Sequence, residues 1–331
     1  MSNIRDVAKA AGVSVATVSR ALSNPEKVSE TALKKVHDAI RDIGYRPNLL
    51  ARSFRSARSY SIVVLVPDIT NPFFAQVIQA IEDRAQKAGY AVLLGDTREL
   101  SKREQEYVNR VETRLADGVI QLRPHSMSTN EQNIPWVNAC GCESTSGPSV
   151  RIDNIGSAEK LTDHLIDLGH RRIGVIAGLS DNPHSIERLA GYKASLRKAG
   201  IPFDPDLVVN GDFTLWSGQQ MAHTLIQREP RPTAIFCMSD QMAIGAIQTI
   251  KVAGLHVPND ISVAGFDDIK FAQYWEPQLT TMAQPAEQLG VQSVELLLRI
   301  IEGGENLNQT EIILPTEFVA RDSTAPPAEI V

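Results

Sequence analysis

The chain has 331 residues, 43% hydrophobic and 22% charged, with a net charge of −6 and three cysteines. That length predicts two or three domains, and the apolar share predicts a substantial core and excludes a disordered chain. No apolar run nears the ~18 residues of a membrane span, and the start MSNIRDVAKAA lacks the apolar stretch of a secretory signal, so a cytoplasmic location is expected.

Charge divides the chain unevenly. Residues 1–58 hold eleven Lys/Arg against five Asp/Glu, whereas residues 59–331 hold twenty-two against thirty-four. A basic head on an acidic body points to a polyanionic partner, most simply nucleic acid. In the head, Ile4, Val7, Ala8 and Ala11 recur at helical spacing, and Gly12 permits a tight turn. Ser14 is placed to cap a second helix, from which Val18 and Leu22 should point into the core. Asn24-Pro25 ends it. Ser29 caps a third helix, whose inner face is Leu33, Val36, Ala39, Ile40 and Ile43, closed at Gly44. Helix, glycine turn and helix make a helix-turn-helix. Its second helix turns Val15, Ala16 and Arg20 outward. Two small apolar side chains allow close approach to thymine methyl groups, and arginine can grip guanine bidentately. The Thr17 and Ser19 hydroxyls suit phosphate.

From Ile62 the pattern changes to strand and helix in alternation. Apolar runs at 62–67, 92–94, 119–122, 150–152, 173–177, 207–209, 235–238 and 263–266 alternate with helical stretches. This pattern predicts parallel sheets covered on both faces. Two such sets imply two similar subdomains, and 287–301 and 312–318 should cross back to complete both. Ligands of such sheets sit beyond the carboxyl ends of the strands, here in a cleft between lobes. The strand ends supply Asn71, Phe73 and Phe74 after the first strand, Asp153, then His184 and Arg188, Phe213, Asp240 and Asp267. Carboxylates and an arginine around aromatics can hold vicinal hydroxyls or a heterocycle. Asp240 could equally be a helix cap and Asp267 a turn former. Cys140, Cys142 and Cys237 are too few for a disulfide framework and lack a second pair for zinc. They read as ordinary thiols, and no metal or other cofactor is expected.

The stretch IRDVAKAAGVSVATVSRALSNPEKVSETALKKVHDAIRDIGYRPNLLARSFRS resembles the headpiece and hinge of the lactose/galactose repressor family. The resemblance runs through the chain to ARDSTAPP. It implies a small all-α helix-turn-helix head (1–46), a hinge helix (47–58) and a body (59–331) like a periplasmic binding protein. That body is an α/β pair of doubly wound parallel-sheet subdomains. Lobe 1 should span about 60–152 plus 285–310, and lobe 2 about 154–283 plus 314–331. The implied protein is a bacterial transcription regulator that works at the nucleoid. It binds a palindromic operator in double-stranded DNA as a homodimer, and a small molecule in the cleft controls it allosterically. In the family the hinge enters the minor groove and a leucine wedges a base step. Here Phe54 stands at that position, with Ala51, Arg52 and Arg55 beside it, and phenylalanine can also intercalate. The family uses the positions of Phe73 or Phe74, Arg188, Phe213, Asp240 and Asp267 for its effector. VPDITNPFF, GDFT, PTAIFCMSD and LTTMAQP are most similar to the purine and cytidine repressors. Asn182 and His184, however, replace an arginine and a threonine at base-contacting positions. The effector stays open between a nucleoside, a pentose and another sugar.

Other functions fit the sequence less well. A cytoplasmic sugar- or nucleoside-binding protein without a regulatory role would leave the basic head idle. A transport receptor would need a signal peptide. An enzyme is not expected, because the chain carries no G-x-S-x-G, P-loop or G-x-G-x-x-G after a strand. His164 and His170 flank a helix end rather than a nucleophile, and Met282-Ala-Gln-Pro285 reads as a lobe crossing.

Overall fold

The computed structural model describes residues 3–23, 25–45, 58–98, 100–112, 115–123, 134–142, 147–303 and 310–328. Asn24 and the hinge residues Ala51, Arg52, Phe54 and Arg55 lie outside them. The chain separates into two units, Met1–Ser59 and Tyr60–Val331.

The first unit is helical. α1 (Ile4–Ala11) opens on a reciprocal cap, in which Asn3 accepts from the N–H of Asp6 while the Asp6 carboxylate accepts from the N–H of Asn3. It ends on Gly12 in the left-handed region (φ 64°), the conformation glycine adopts most cheaply. α2 (Val15–Ser23) and α3 (Glu30–Asp42) follow. Val7, Ala8, Ala11, Val18, Ala21, Val36 and Ala39 form its core. One sequence expectation is corrected here. Leu22 is 36% exposed, and Ala21 is buried in its place. The seam of α2 follows the i, i+3 row from Val18, where a small alanine lets neighbouring helices approach.

The second unit contains two six-stranded sheets. The first lobe comprises β1 (Ser61–Val66), α4 (Pro72–Lys87), β2 (Ala91–Asp96), α5 (Ser101–Glu112), β3 (Gly118–Gln121), β4 (Trp136–Gly141) and β5 (Ser149–Ile152). The second comprises α6 (Asn154–Asp167), β6 (Ile173–Ala177), α7 (Pro183–Lys198), β7 (Val208–Asn210), α8 (Leu215–Ile226), β8 (Ala234–Cys237), α9 (Asp240–Val252), β9 (Ser262–Asp267) and β10 (Thr280–Ala283). The chain then returns. α10 (Ala286–Glu302) and β11 (Glu311–Leu314) complete the first lobe, and β12 (Glu317–Val319) edges the second sheet. The final crossing thus falls between Leu314 and Glu317.

The strand orders are β11-β5-β4-β3-β1-β2 and β12-β10-β9-β8-β6-β7. Among the described residues every strand pairing is parallel except β10 with β12. Central strands such as Ile62–Val66 are buried on both faces, as a parallel sheet covered by helices requires. In each sheet the winding reverses about one strand, β1 between β2 and β3, and β6 between β7 and β8. Crevices at such switch points receive ligands. Ile244 and Ile269 of the second lobe join the first lobe's core, and Trp275 packs on both clusters.

Candidate functional site

Both switch points open on one cavity of about 700 Å³, its open mouth included. From the first lobe come Asp68, Asn71, Phe73 and Phe74 after β1, Leu122 and Arg123 after β3, and Cys140 of β4. From the second come Asn182, His184 and Arg188 after β6, Asp212, Phe213 and Thr214 after β7, Ser239 after β8, and Asp267 ending β9. Gln284 joins them from the crossing.

The wall is held in place by local chemistry. Asn71 and Asn182 each cap a helix that begins with proline. Thr214 and Ser239 cap α8 and α9. Phe73 and Phe74 lie with ring centroids 5.5 Å apart. The ring of Phe213 lies over Gly178, where a Cβ would come within 2.1 Å of it. Cys140, Phe213 and Asp267 have φ of 61°, 66° and 122°. Such strained backbone persists only where the surroundings over-determine it, and it clusters at ligand sites.

Arg188 is buried. Its Nε donates to Asn154 Oδ1 at 3.0 Å, its Nη1 donates to the Met238 carbonyl at 2.6 Å, and its guanidinium lies 3.7 Å from the Phe266 ring centroid. Asp267 Oδ1 accepts from Gln284 Nε2 at 2.7 Å. Burial pushes the Asp267 carboxyl up to about 6, against the opposing pull of Arg188. His184 Nδ1 lies 3.1 Å from Cys142 Sγ, a contact between lobes. Burial, then Arg188 and Arg123, push this imidazole down to about 3, so it is neutral at physiological pH. Burial also pushes the Cys140 thiol up to about 12, which leaves it inert.

Of the nine residues expected at the cleft, the structure brings seven to the cavity: Asn71, Phe73, Phe74, His184, Arg188, Phe213 and Asp267. Two lie elsewhere. Asp153 is exposed and caps α6, accepting from the N–H of Gly156 at 2.8 Å. Asp240 is fully buried one layer behind. It accepts from Thr281 Oγ1 at 2.6 Å and from the N–H of Ile269 at 2.8 Å, and so holds the turn after Asp267. Burial and the nearby Asp267 charge hold its carboxyl well above the usual range. Arg123, Cys140, Ser239 and Gln284 are not among the residues the sequence points to. Each follows or ends a strand, but neither β4 nor β10 stands out as a strand in the sequence.

In the head, Ser14 caps α2, accepting from the N–H of Thr17 at 3.0 Å, and the two hydroxyls lie 2.9 Å apart. Val15, Ala16 and Arg20 are exposed, while Thr17 and Ser19 are half-buried. This face has the small apolar and arginine character that a major groove accepts.

Comparison with known proteins agrees with both parts. Residues 3–48 match the model of the bacterial regulatory proteins, lacI family, and residues 162–324 that of the periplasmic binding protein-like domain. The HTH-type transcriptional repressor CytR of Escherichia coli (strain K12) is 39% identical, over 98% of this chain and 96% of its own. The structure is similar to that of a lac repressor dimer bound to operator and the anti-inducer ONPF, with a TM-score of 0.87 and 29% identity over 98% of this chain and 99% of that one. It is also similar to a LacI family transcriptional regulator from Enterococcus faecium with bound ribose, with a TM-score of 0.71 and 31% identity over 80% of this chain and 99% of that one.

Proposed function

The chain belongs to the lacI family of bacterial regulatory proteins and is a DNA-binding transcriptional regulator under small-molecule control; on that premise we propose that its effector is a ribose-type molecule, free or as a nucleoside, bound in the cleft of the body. One observation carries this reading. Arg188 and Asp267 of one lobe face Phe73 and Phe74 of the other across a single cavity. Charged groups that can pair with vicinal hydroxyls therefore sit opposite aromatic faces that can stack on a ring. A regulator with bound ribose is among the similar structures, and the relative CytR is a transcriptional repressor. The protein acts in the cytoplasm as a repressor and has no catalytic role. No described helix is long and apolar enough to cross a membrane.

The head reads a palindromic operator through Val15, Ala16 and Arg20, with Ser14, Thr17, Ser19 and Asn24 against the backbone. The hinge adds Phe54 as a wedge, with Ala51, Arg52 and Arg55 beside it. Two heads require a dimer, since half-sites mirror protein symmetry. The body leaves Trp216, Val252, Phe271 and Tyr274 exposed. The proposed homodimer forms through the body, and a partner copy there could cover side chains of this kind. A thermal-shift screen of nucleosides, pentoses and hexoses, followed by gel shifts on palindromic DNA with each hit, tests the reading. A ligand that binds only the folded state raises the melting temperature, and the effector must then also change the gel shift.

A further inference from the structure

Asn154 is the first residue of α6, just past the crossing from β5 into the second lobe. The sequence draws attention to its neighbour Asp153, yet Asn154 is the buried one, only 1% exposed, and it stands behind the cavity wall rather than in it. Its place is set by the crossings. Asp153 caps α6, and the Ser157 hydroxyl lies 2.8 Å from that of Thr316 on the last crossing.

The Asn154 amide joins three side chains. Its Oδ1 accepts from Arg188 Nε at 3.0 Å, and its Nδ2 donates to Glu187 Oε2 at 3.0 Å. Nδ2 also lies 3.4 Å from His184 Nδ1, the ring that touches Cys142 of the first lobe. An arginine only donates and a carboxylate only accepts. The two partners therefore fix which way the amide points, and neither aspartate nor alanine can serve both. Arg188 carries five N–H groups on a rigid fork. One goes to Asn154 and one to the Met238 carbonyl, and the Phe266 ring lies against the guanidinium. These contacts fix the plane of the group. Both hydrogen-bond anchors are neutral, so the positive charge and the other N–H groups are kept for the cavity that Arg188 lines.

Resting on the effector reading above, we infer that Asn154 is a positioning residue for the effector: it lies outside the cavity but aims the Arg188 guanidinium into it. Without the amide, Arg188 loses one of its two anchors, and a long side chain regains rotamer freedom that binding must then remove. Glu187 loses a donor at the same time and becomes a rival partner for the guanidinium.

Titration calorimetry on the full-length protein tests this with cytidine, adenosine and ribose as probes. For each probe that the parent binds, Asn154→Ala should weaken binding by about ten- to a hundredfold. Asn154→Asp keeps an oxygen for Arg188 and should bind about fivefold more tightly than the alanine variant, although its second oxygen meets Glu187 and lowers the melting temperature below the parent's. Should the alanine variant fail to fold, Asn154→Ser, whose hydroxyl stops short of Arg188, takes its place. A double-mutant cycle asks whether the effect runs through Arg188. In an Arg188→Lys background, which lacks the Nε donor, the same Asn154 substitution should cost less than about threefold. Parental binding by Asn154→Ala, an aspartate variant as weak as the alanine one, or a full further loss in Arg188→Lys overturns the inference alone and leaves the ribose-type reading standing. A parent that binds none of the three probes refutes that reading and the inference with it.

Discussion

Asp267→Asn should make the ligand-free protein more stable at neutral pH while weakening effector binding. Burial raises the Asp267 carboxyl from 3.8 to about 6. A carboxyl whose folded value is raised stabilises the fold below its unfolded value, and that stabilisation is lost as pH rises through the folded value. The charged form therefore costs stability above pH 6, and the cost disappears between about pH 6 and pH 4. The rise from 3.8 to about 6 corresponds to about 3 kcal/mol as an upper bound, part of it shared with Asp240 behind. Asparagine keeps an acceptor for Gln284, which now donates at 2.7 Å, and carries no charge to desolvate. A gain of that size would raise the melting temperature by roughly 5–10 °C at pH 7.5, with no gain near pH 4. Losing a charged acceptor for ligand hydroxyls costs about 1.5–3 kcal/mol, or roughly 10–150-fold in effector affinity. Thermal unfolding at the two pH values and calorimetry with the strongest screening hit measure both effects. A variant less stable than the parent at pH 7.5, or equally stabilised at both pH values, would refute the assignment of Asp267 as a strained, ligand-facing carboxylate.

Arg20→Ala should cost about 1–3 kcal/mol of specific binding and relax base preference at one position per half-site; competition assays that show equal loss on all sequences would make Arg20 a phosphate contact only. Phe54→Ala should weaken operator binding in gel shifts while the effector still binds with parental heat, and normal operator affinity would remove its wedge role. Light scattering should give a dimer, because two heads must present twofold-related half-sites; a stable monomer would contradict this.

The alternation of strand and helix makes the body's architecture legible, because the buried strands are continuous apolar runs. Arg188, Phe213 and Asp267 are legible because they follow such strands. β4 is hidden by its sequence, WVNACG, whose Asn138 is buried within the sheet, and β10 by TTMA, whose threonines serve Asp240 and the C-terminal segment. With those strands go Cys140 and Gln284. Asp153 and Asp240 look like ligand groups because they are acidic and follow strands. The Asp153 carboxylate instead accepts from the N–H of Gly156, and that of Asp240 from the N–H of Ile269 and the Thr281 hydroxyl, uses that sequence position alone does not reveal. Leu22 is misplaced for a simpler reason. Positions 21 and 22 differ by about 100° on the helix, and only packing decides which one the core takes.

Operator affinity measured by fluorescence anisotropy at fixed salt, with and without the screened effector, in the parent and in Asp267→Asn, tests the coupling of cleft to operator most directly. The parent's affinity should change by about 5–150-fold on adding ligand. In Asp267→Asn, ligand-free operator affinity should match the parent's, and the response at the same ligand concentration should largely vanish. A parent that binds the ligand with no change in operator affinity, or a variant that responds in full, would contradict control through this cavity.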